Sequence, residues 1–277
     1  MNEAEALLAL REESHALAAE ASALAPYDAL CWVGYPPRAF RAWPDGDAVR
    51  RGLAESPIRR ALLSHTVGGL HDPEAGNRAL AAVLADLPGF AGVMTLTPET
   101  QYGDADVDRR IAACLKAGMR AARLLPRSHR YTLKTPGVDA LLDALARRGV
   151  AVFLPIGQTS WNEVGALAAA HPGLTMLVES AGHHEYLNMR AALPWLESAA
   201  NIHVPTNRQF LAGGLELLVS RLGPERVVFA SGQPVEDPWA SLALLVRNRF
   251  SDDVRRLIAH GNLERMLDAV KGEEVTE

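Results

Sequence analysis

A chain of 277 residues, 48% hydrophobic and 22% charged, has the make-up of an ordinary globular protein and length for one α/β unit of roughly 250 residues. Its net charge of −5 argues against a nucleic-acid partner, because such binders carry basic patches. It shows no basic leader ahead of an apolar run, no uncharged apolar stretch of the roughly 18 residues that cross a bilayer, and no C-x-x-C pairing of Cys31 with Cys114. A cytoplasmic protein with reduced thiols is therefore expected.

In chain order, the Ala/Leu-rich segment 2–24 predicts a helix ahead of the first strand. Asp28-Ala-Leu-Cys-Trp-Val-Gly34 then reads as a strand, 29–34, closing on glycine. Further apolar runs predict strands at 60–65, 92–96, 121–126, 150–157, 174–181, 201–205 and 226–231. Helical periodicity lies between them, at 72–87, 138–148, 162–171, 185–198 and 210–222. The punctuation agrees: Thr135-Pro136-Gly137 opens one helix and Gly149 closes it, while His171-Pro172-Gly173 and Gly223-Pro224 end two others. Residues 251–270 predict a final helix pair, and 271–277 a loose charged tail.

Eight strands alternating with helices predict a closed parallel (β/α)8 TIM barrel, one domain over 1–277 with an N-terminal extension at 1–25. An open doubly wound sheet would carry a G-x-G-x-x-G turn after the first strand, where this chain reads Gly34-Tyr-Pro-Pro-Arg38.

Several segments of the second half share one pattern: Val152-Phe-Leu-Pro-Ile-Gly157, Leu167-Ala-Ala-Ala-His-Pro-Gly173, Leu177-Val-Glu-Ser-Ala-Gly182, Gly223-Pro-Glu-Arg-Val-Val-Phe-Ala-Ser-Gly-Gln-Pro234 and Gly261-Asn-Leu-Glu-Arg-Met-Leu267. In their order and spacing the chain resembles the amidohydrolase-related (amidohydrolase 2 type) TIM-barrel proteins. The resemblance implies metal ligands at two first-strand positions, here Leu30 and Trp32. It implies others on the fifth, sixth and eighth strands, here Pro155, Ser180 and Gly232. Leu, Pro and Gly offer no donor atom, Trp only an N–H, and Ser is a poor zinc ligand. No metal and no other cofactor is therefore expected. The family's metal-independent pyrone dicarboxylate lactonases keep the eighth-strand aspartate, which this chain lacks.

Different chemistry is then sought at the strand ends, where barrel active sites lie. His65 ends the second strand and is a candidate general base, or else a histidine bonded within its loop. Arg123, Arg127, His129 and Arg130 form the densest polar group, able to fork onto a carboxylate or phosphate or to bridge to acidic helices. His129 is the second candidate proton carrier. Trp32 is expected either to floor the pocket or to plug the vacated metal site, with Ser180, Asn207, Ser231 and Gln233 as hydrogen-bonding liners. Of His183 and His184, one is expected to face the rim. Glu179 is a further acid/base candidate, but alternation about Ser180 counts against an inward side chain and favours a partner on the helix side or the barrel rim. Asp28 is expected to anchor the first strand.

The sequence thus predicts a metal-independent amidohydrolase-like hydrolase, lyase or decarboxylase acting on a small anionic substrate at the barrel's C-terminal face. The alternative is a non-catalytic relative, serving as a ligand-binding module or as partner to an active paralogue. The expected partner is a small anionic molecule, with no nucleic acid and no membrane. Self-assembly and pairing with a paralogue are the two options for assembly.

Overall fold

The computed structural model describes residues 3–37, 39–98, 107–180, 189–209 and 211–271. Eight parallel strands follow one another in sequence order: β1 (Tyr27–Val33), β2 (Arg60–His65), β3 (Ala91–Thr95), β4 (Met119–Arg123), β5 (Ala151–Pro155), β6 (Met176–Glu179), β7 (Ile202–Pro205) and β8 (Val227–Val228). Past β8 the chain stays extended and closes the barrel on β1. Ala29 N–H donates to the Phe229 carbonyl (3.0 Å) and Trp32 N–H to that of Gln233 (2.7 Å).

Because both faces of a parallel barrel strand are covered, these strands read as nearly unbroken apolar runs. One set of side chains, including Ala29, Leu62, Val93, Phe153, Leu177 and Val228, fills the lumen. The alternate set, including Cys31, Leu63, Met94, Val152, Val178 and Phe229, packs outward with the helices. The alternation slips at β1, whose pairing with β2 shifts register between Asp28 and Cys31.

Helices start where a short polar side chain can cap a free N–H. Asp45 accepts from Ala48 N–H ahead of Gly46–Ala54, Asp72 from Ala75 N–H ahead of Pro73–Ala85, and Ser160 from Glu163 N–H ahead of Trp161–Ala170. Asp237 does the same for Pro238–Arg247, with proline at the first helical position. Buried amides fasten helices to the sheet. Asn77 spans the backbone of Thr95, donating to its carbonyl (2.9 Å) and accepting from its N–H (2.8 Å). Asn262 donates to the carbonyls of Pro224 and Val227, both at 2.7 Å.

The expected alternation stands, with local corrections. The N-terminal helix runs Glu3–Ala23, and helix Met189–Ser198 covers the later part of the segment expected at 185–198. The helix expected from 210 starts at Gly214, because Gly213 precedes it in a left-handed turn at φ +71°. The final helix pair is joined without a turn, as Asp252–Arg256 runs through the π-helical stretch Leu257–Gly261 into Asn262–Asp268. Of the tail, Lys271 is described, its N–H bonded to the Arg148 carbonyl (2.9 Å). Among the described residues no helix is long and apolar enough to cross a membrane.

Candidate active site at the barrel mouth

The C-terminal strand ends open into a cavity of about 390 Å³. Leu30, Trp32, Leu125 and Pro155 give it apolar walls, and Arg123, Glu179, Asn207, Arg208 and Glu236 line it with polar groups.

Arg123, the last residue of β4, is 1% exposed and points into the lumen. Its guanidinium stacks 4.7 Å from the Trp32 ring and 5.6 Å from that of Phe153, so side chains of β1 and β5 hold its faces. The edge faces Glu179, the last residue of β6. Nη1 donates to Oε2 at 3.0 Å, and Nη2 lies 2.7 Å from Oε1 as an ion pair off the hydrogen-bond axis. Burial pushes the Glu179 carboxyl above its ordinary pKa, and the Arg123 charge pulls against that shift. The expectation that Glu179 faces away from the lumen is thereby overturned. Leu177 and Glu179 form the inward set of β6, and the strand ends before Ser180.

A second ion pair stands beside the first, formed by two residues the sequence did not single out. Arg208 follows β7 with left-handed backbone (φ +61°), and its Nε donates to Oε1 of Glu236 at 2.6 Å. Asn207 also bonds the Glu236 carboxylate. Burial raises the Glu236 carboxyl too, against the pull of Arg208. The field of Arg208 reaches Glu179 as well, so the two pairs are electrostatically linked. The sequence signal for this pair was slight: a charge in each of the loops after β7 and β8.

Glu236 also accounts for Gly232. That residue has φ +81°, and a Cβ built there would fall 2.6 Å from the Glu236 carboxyl carbon. The place assigned by resemblance to a catalytic aspartate is thus filled from four residues further along.

The remaining candidates are placed as follows. His65 Nδ1 accepts the Val67 N–H (3.2 Å) and caps the short helix Thr66–Leu70. Burial lowers its pKa, and it is not part of the cavity wall. His129 Nε2 sits 2.9 Å from the Gly68 carbonyl, its pKa also lowered by burial, and it too stands outside the wall. Arg127 is exposed and donates to the Gly157 carbonyl (2.8 Å) rather than lining the cavity. Trp32, Ser180 and Asn207 do line it. Ser231 is fully buried beneath, its N–H (2.9 Å) and hydroxyl both given to Asp28. Asp28 also takes the Leu30 N–H (3.0 Å) and the Cys31 thiol (3.1 Å), anchoring β1 to the closing segment. Gln233 lines the adjoining cavity instead. His183 and His184 lie outside the described residues.

A catalytic metal needs about three protein donors converging on one point. At the implied positions Leu30, Pro155 and Gly232 bring none, and Glu179 is engaged by a guanidinium. Among the described residues no three His, Cys, Asp or Glu side chains converge. These donors do not fit the ion that the family frame implies.

The structure is a (β/α)8 barrel in which arginine–carboxylate pairs stand at the strand ends. The amidohydrolase family model matches residues 32–269, and the chain belongs to that family. No curated protein matches it by sequence. Among solved structures, a 2,6-dihydroxybenzoate decarboxylase complexed with 2,6-dihydroxybenzoate has a TM-score of 0.68 at 14% identity, covering 88% of this chain and 98% of its own. A 5-carboxyvanillate decarboxylase from Sphingomonas paucimobilis follows at 0.65 and 14%, covering 90% and 100%. A dihydroxybenzoic acid decarboxylase from Polaromonas sp. JS666, with bound manganese and the inhibitor 2-nitroresorcinol, reaches 0.66 at 15%, covering 86% and 90%. At such identities the likeness defines the fold alone.

Proposed function

We propose that the chain is an enzyme acting on a small anionic substrate at the barrel mouth, by hydrolysis or by lyase or decarboxylase chemistry, without a metal on the family's ligand positions. The observation that carries this reading is the pair of guanidiniums lining the mouth, Arg123 buried against Trp32 and Glu179, and Arg208 partly exposed beside Glu236. They put fixed positive charge at the strand ends and need no metal to do so. Glu179 and Glu236 border the cavity with raised proton affinity, the property a proton-transfer group needs near neutral pH. His65 and His129 serve such a role only if the wall opens. The solved decarboxylases, two of them bound to small aromatic ligands, support the choice of substrate size. The two free, buried cysteines support a reducing, cytoplasmic setting.

The test is turnover. Chelator-treated protein is offered a panel of small carboxylic acids, esters and amides, reading acid or carbon dioxide release. Saturable turnover insensitive to chelation is expected. Activity that vanishes with chelation and returns with manganese would overturn the metal-free part.

A non-catalytic reading has its own support. Both carboxylates of the mouth are already paired, and Tyr35, Phe40, Leu70 and Val235 stand exposed. Binding without turnover of any panel member would favour that reading, with a small anion or a paralogous subunit as partner.

A further inference from the structure

The two arginines of the mouth are not equally free to meet a ligand. Arg123 and Glu179 are 1% and 6% exposed at their side chains, and each is the other's partner. A ligand displacing Glu179 would leave a carboxylate stranded in the lumen, at a cost of several kcal/mol. Arg208 and Glu236 are 27% and 20% exposed, and their bond runs through Nε of the fork.

Glu236 also has somewhere to go. It borders both the mouth and an adjoining cavity of about 420 Å³, whose wall includes Arg41, Gln233 and Trp239. No other charged side chain lines both spaces among the described residues. Arg208, moreover, holds a left-handed backbone uncommon for a residue with a side chain, a kind of strain that concentrates at functional sites.

We propose that the Arg208–Glu236 ion pair is the seat of a ligand carboxylate. A small monocarboxylic acid takes the place of Glu236 on the Arg208 guanidinium and lays its apolar body against Leu30, Trp32, Leu125 and Pro155. The inference rests on the reading of the mouth as an anion site, and it names the group recognised. The resident occupant of Arg208 is itself a carboxylate, which shows what shape and charge the guanidinium accepts there. One such seat specifies one carboxylate.

Exchange has a proton consequence. The mouth holds two guanidiniums against two carboxylates, with Asp28 beneath. Glu236 faces Arg208 and Asn207 from the loop after β7 and Asp28 from β1, while Arg41, Glu55 and Asp237 surround the adjoining cavity. A bound anion adds a negative charge to a balanced set. Glu236, released from its counter-ion, takes a proton from solvent onto its carboxylate oxygen as the ligand enters.

The experiment is calorimetric titration of the full chain with benzoate, hexanoate and the neutral amide benzamide, at about pH 6 and about pH 8, in buffers of differing ionisation heat. Wild type is expected to bind a carboxylate more tightly at the lower pH, with proton uptake, and to ignore benzamide. Glu236→Gln is expected to bind about tenfold tighter and to lose the uptake, because a neutral amide competes poorly for Arg208. Arg208→Gln is expected to weaken binding at least about tenfold, and Arg208→Lys, which keeps the charge without the fork, by an intermediate factor. Binding unchanged or weaker in Glu236→Gln, or unchanged in both Arg208 variants, overturns the seat while leaving the anion site standing. Absence of carboxylate binding in wild type and in Glu236→Gln up to about 50 mM overturns both. Tighter binding of inorganic phosphate than of either carboxylate, lost with Arg208→Gln, overturns the carboxylate assignment.

Discussion

Glu179 and Arg123 sit almost wholly inside the protein, and each is the counter-charge that lets the other stay there. Removing one leaves the other buried without compensation, a loss of about 3–5 kcal/mol. Arg123→Ala is therefore expected to lower the unfolding midpoint strongly in chemical denaturation. A change within about 0.5 kcal/mol would show that the pair is solvated in solution. Glu236 makes a different prediction. Burial raises its carboxyl above the ordinary 4.5, so the folded chain binds that proton more tightly than the unfolded chain. Its contribution to stability is fully present below about 4.5 and is lost as pH climbs through the higher folded value. Glu179 and Asp28 shift the same way, so the measurement compares wild type with Glu236→Gln, and a flatter stability–pH profile is expected in the variant. Identical profiles would contradict it. The sequence pointed to Arg123 and Trp32 because strand-end position and residue type suffice to nominate them. It misdirected Glu179, because alternation was counted from Ser180, one residue past the end of the strand.

At the scale of elements, the strands were legible because burial on both faces leaves an apolar run that few other structures produce. Their ends were less so. β8 has a two-residue ladder and then continues as an extended segment tied down by Asp28, a carboxylate some two hundred residues away in sequence. No local pattern records such a contact. Gly232 shows the same limit: resemblance pairs it with an aspartate, but the Glu236 carboxylate that crowds its Cβ position is brought there by the fold of the next loop. Gly232→Asp is accordingly expected to cost about 2 kcal/mol, from left-handed backbone with a side chain and from crowding against Glu236. Thermal unfolding reads the loss, and the variant is expected to gain no metal-dependent esterase activity. A stable variant hydrolysing esters in the presence of zinc or manganese would show that the loop yields and that the family site is recoverable.

For the whole molecule, the barrel is that of the amidohydrolase family, and its mouth is lined by two arginine–carboxylate pairs. The frame repeats a strand–helix unit eight times, and that periodicity is what a sequence shows best. The mouth is assembled from the ends of β1, β4, β5 and β6, the short helix after β2, and the loops after β1, β4, β5, β7 and β8, one to three residues from each, and so leaves no contiguous motif. On the proposed function, arginine rather than a metal ion supplies the positive charge at these strand ends. Elemental analysis of the purified chain after dialysis against a chelator tests it most directly. Less than about 0.1 equivalent of zinc, iron or manganese per folded chain is predicted, whereas about one retained equivalent would contradict the claim.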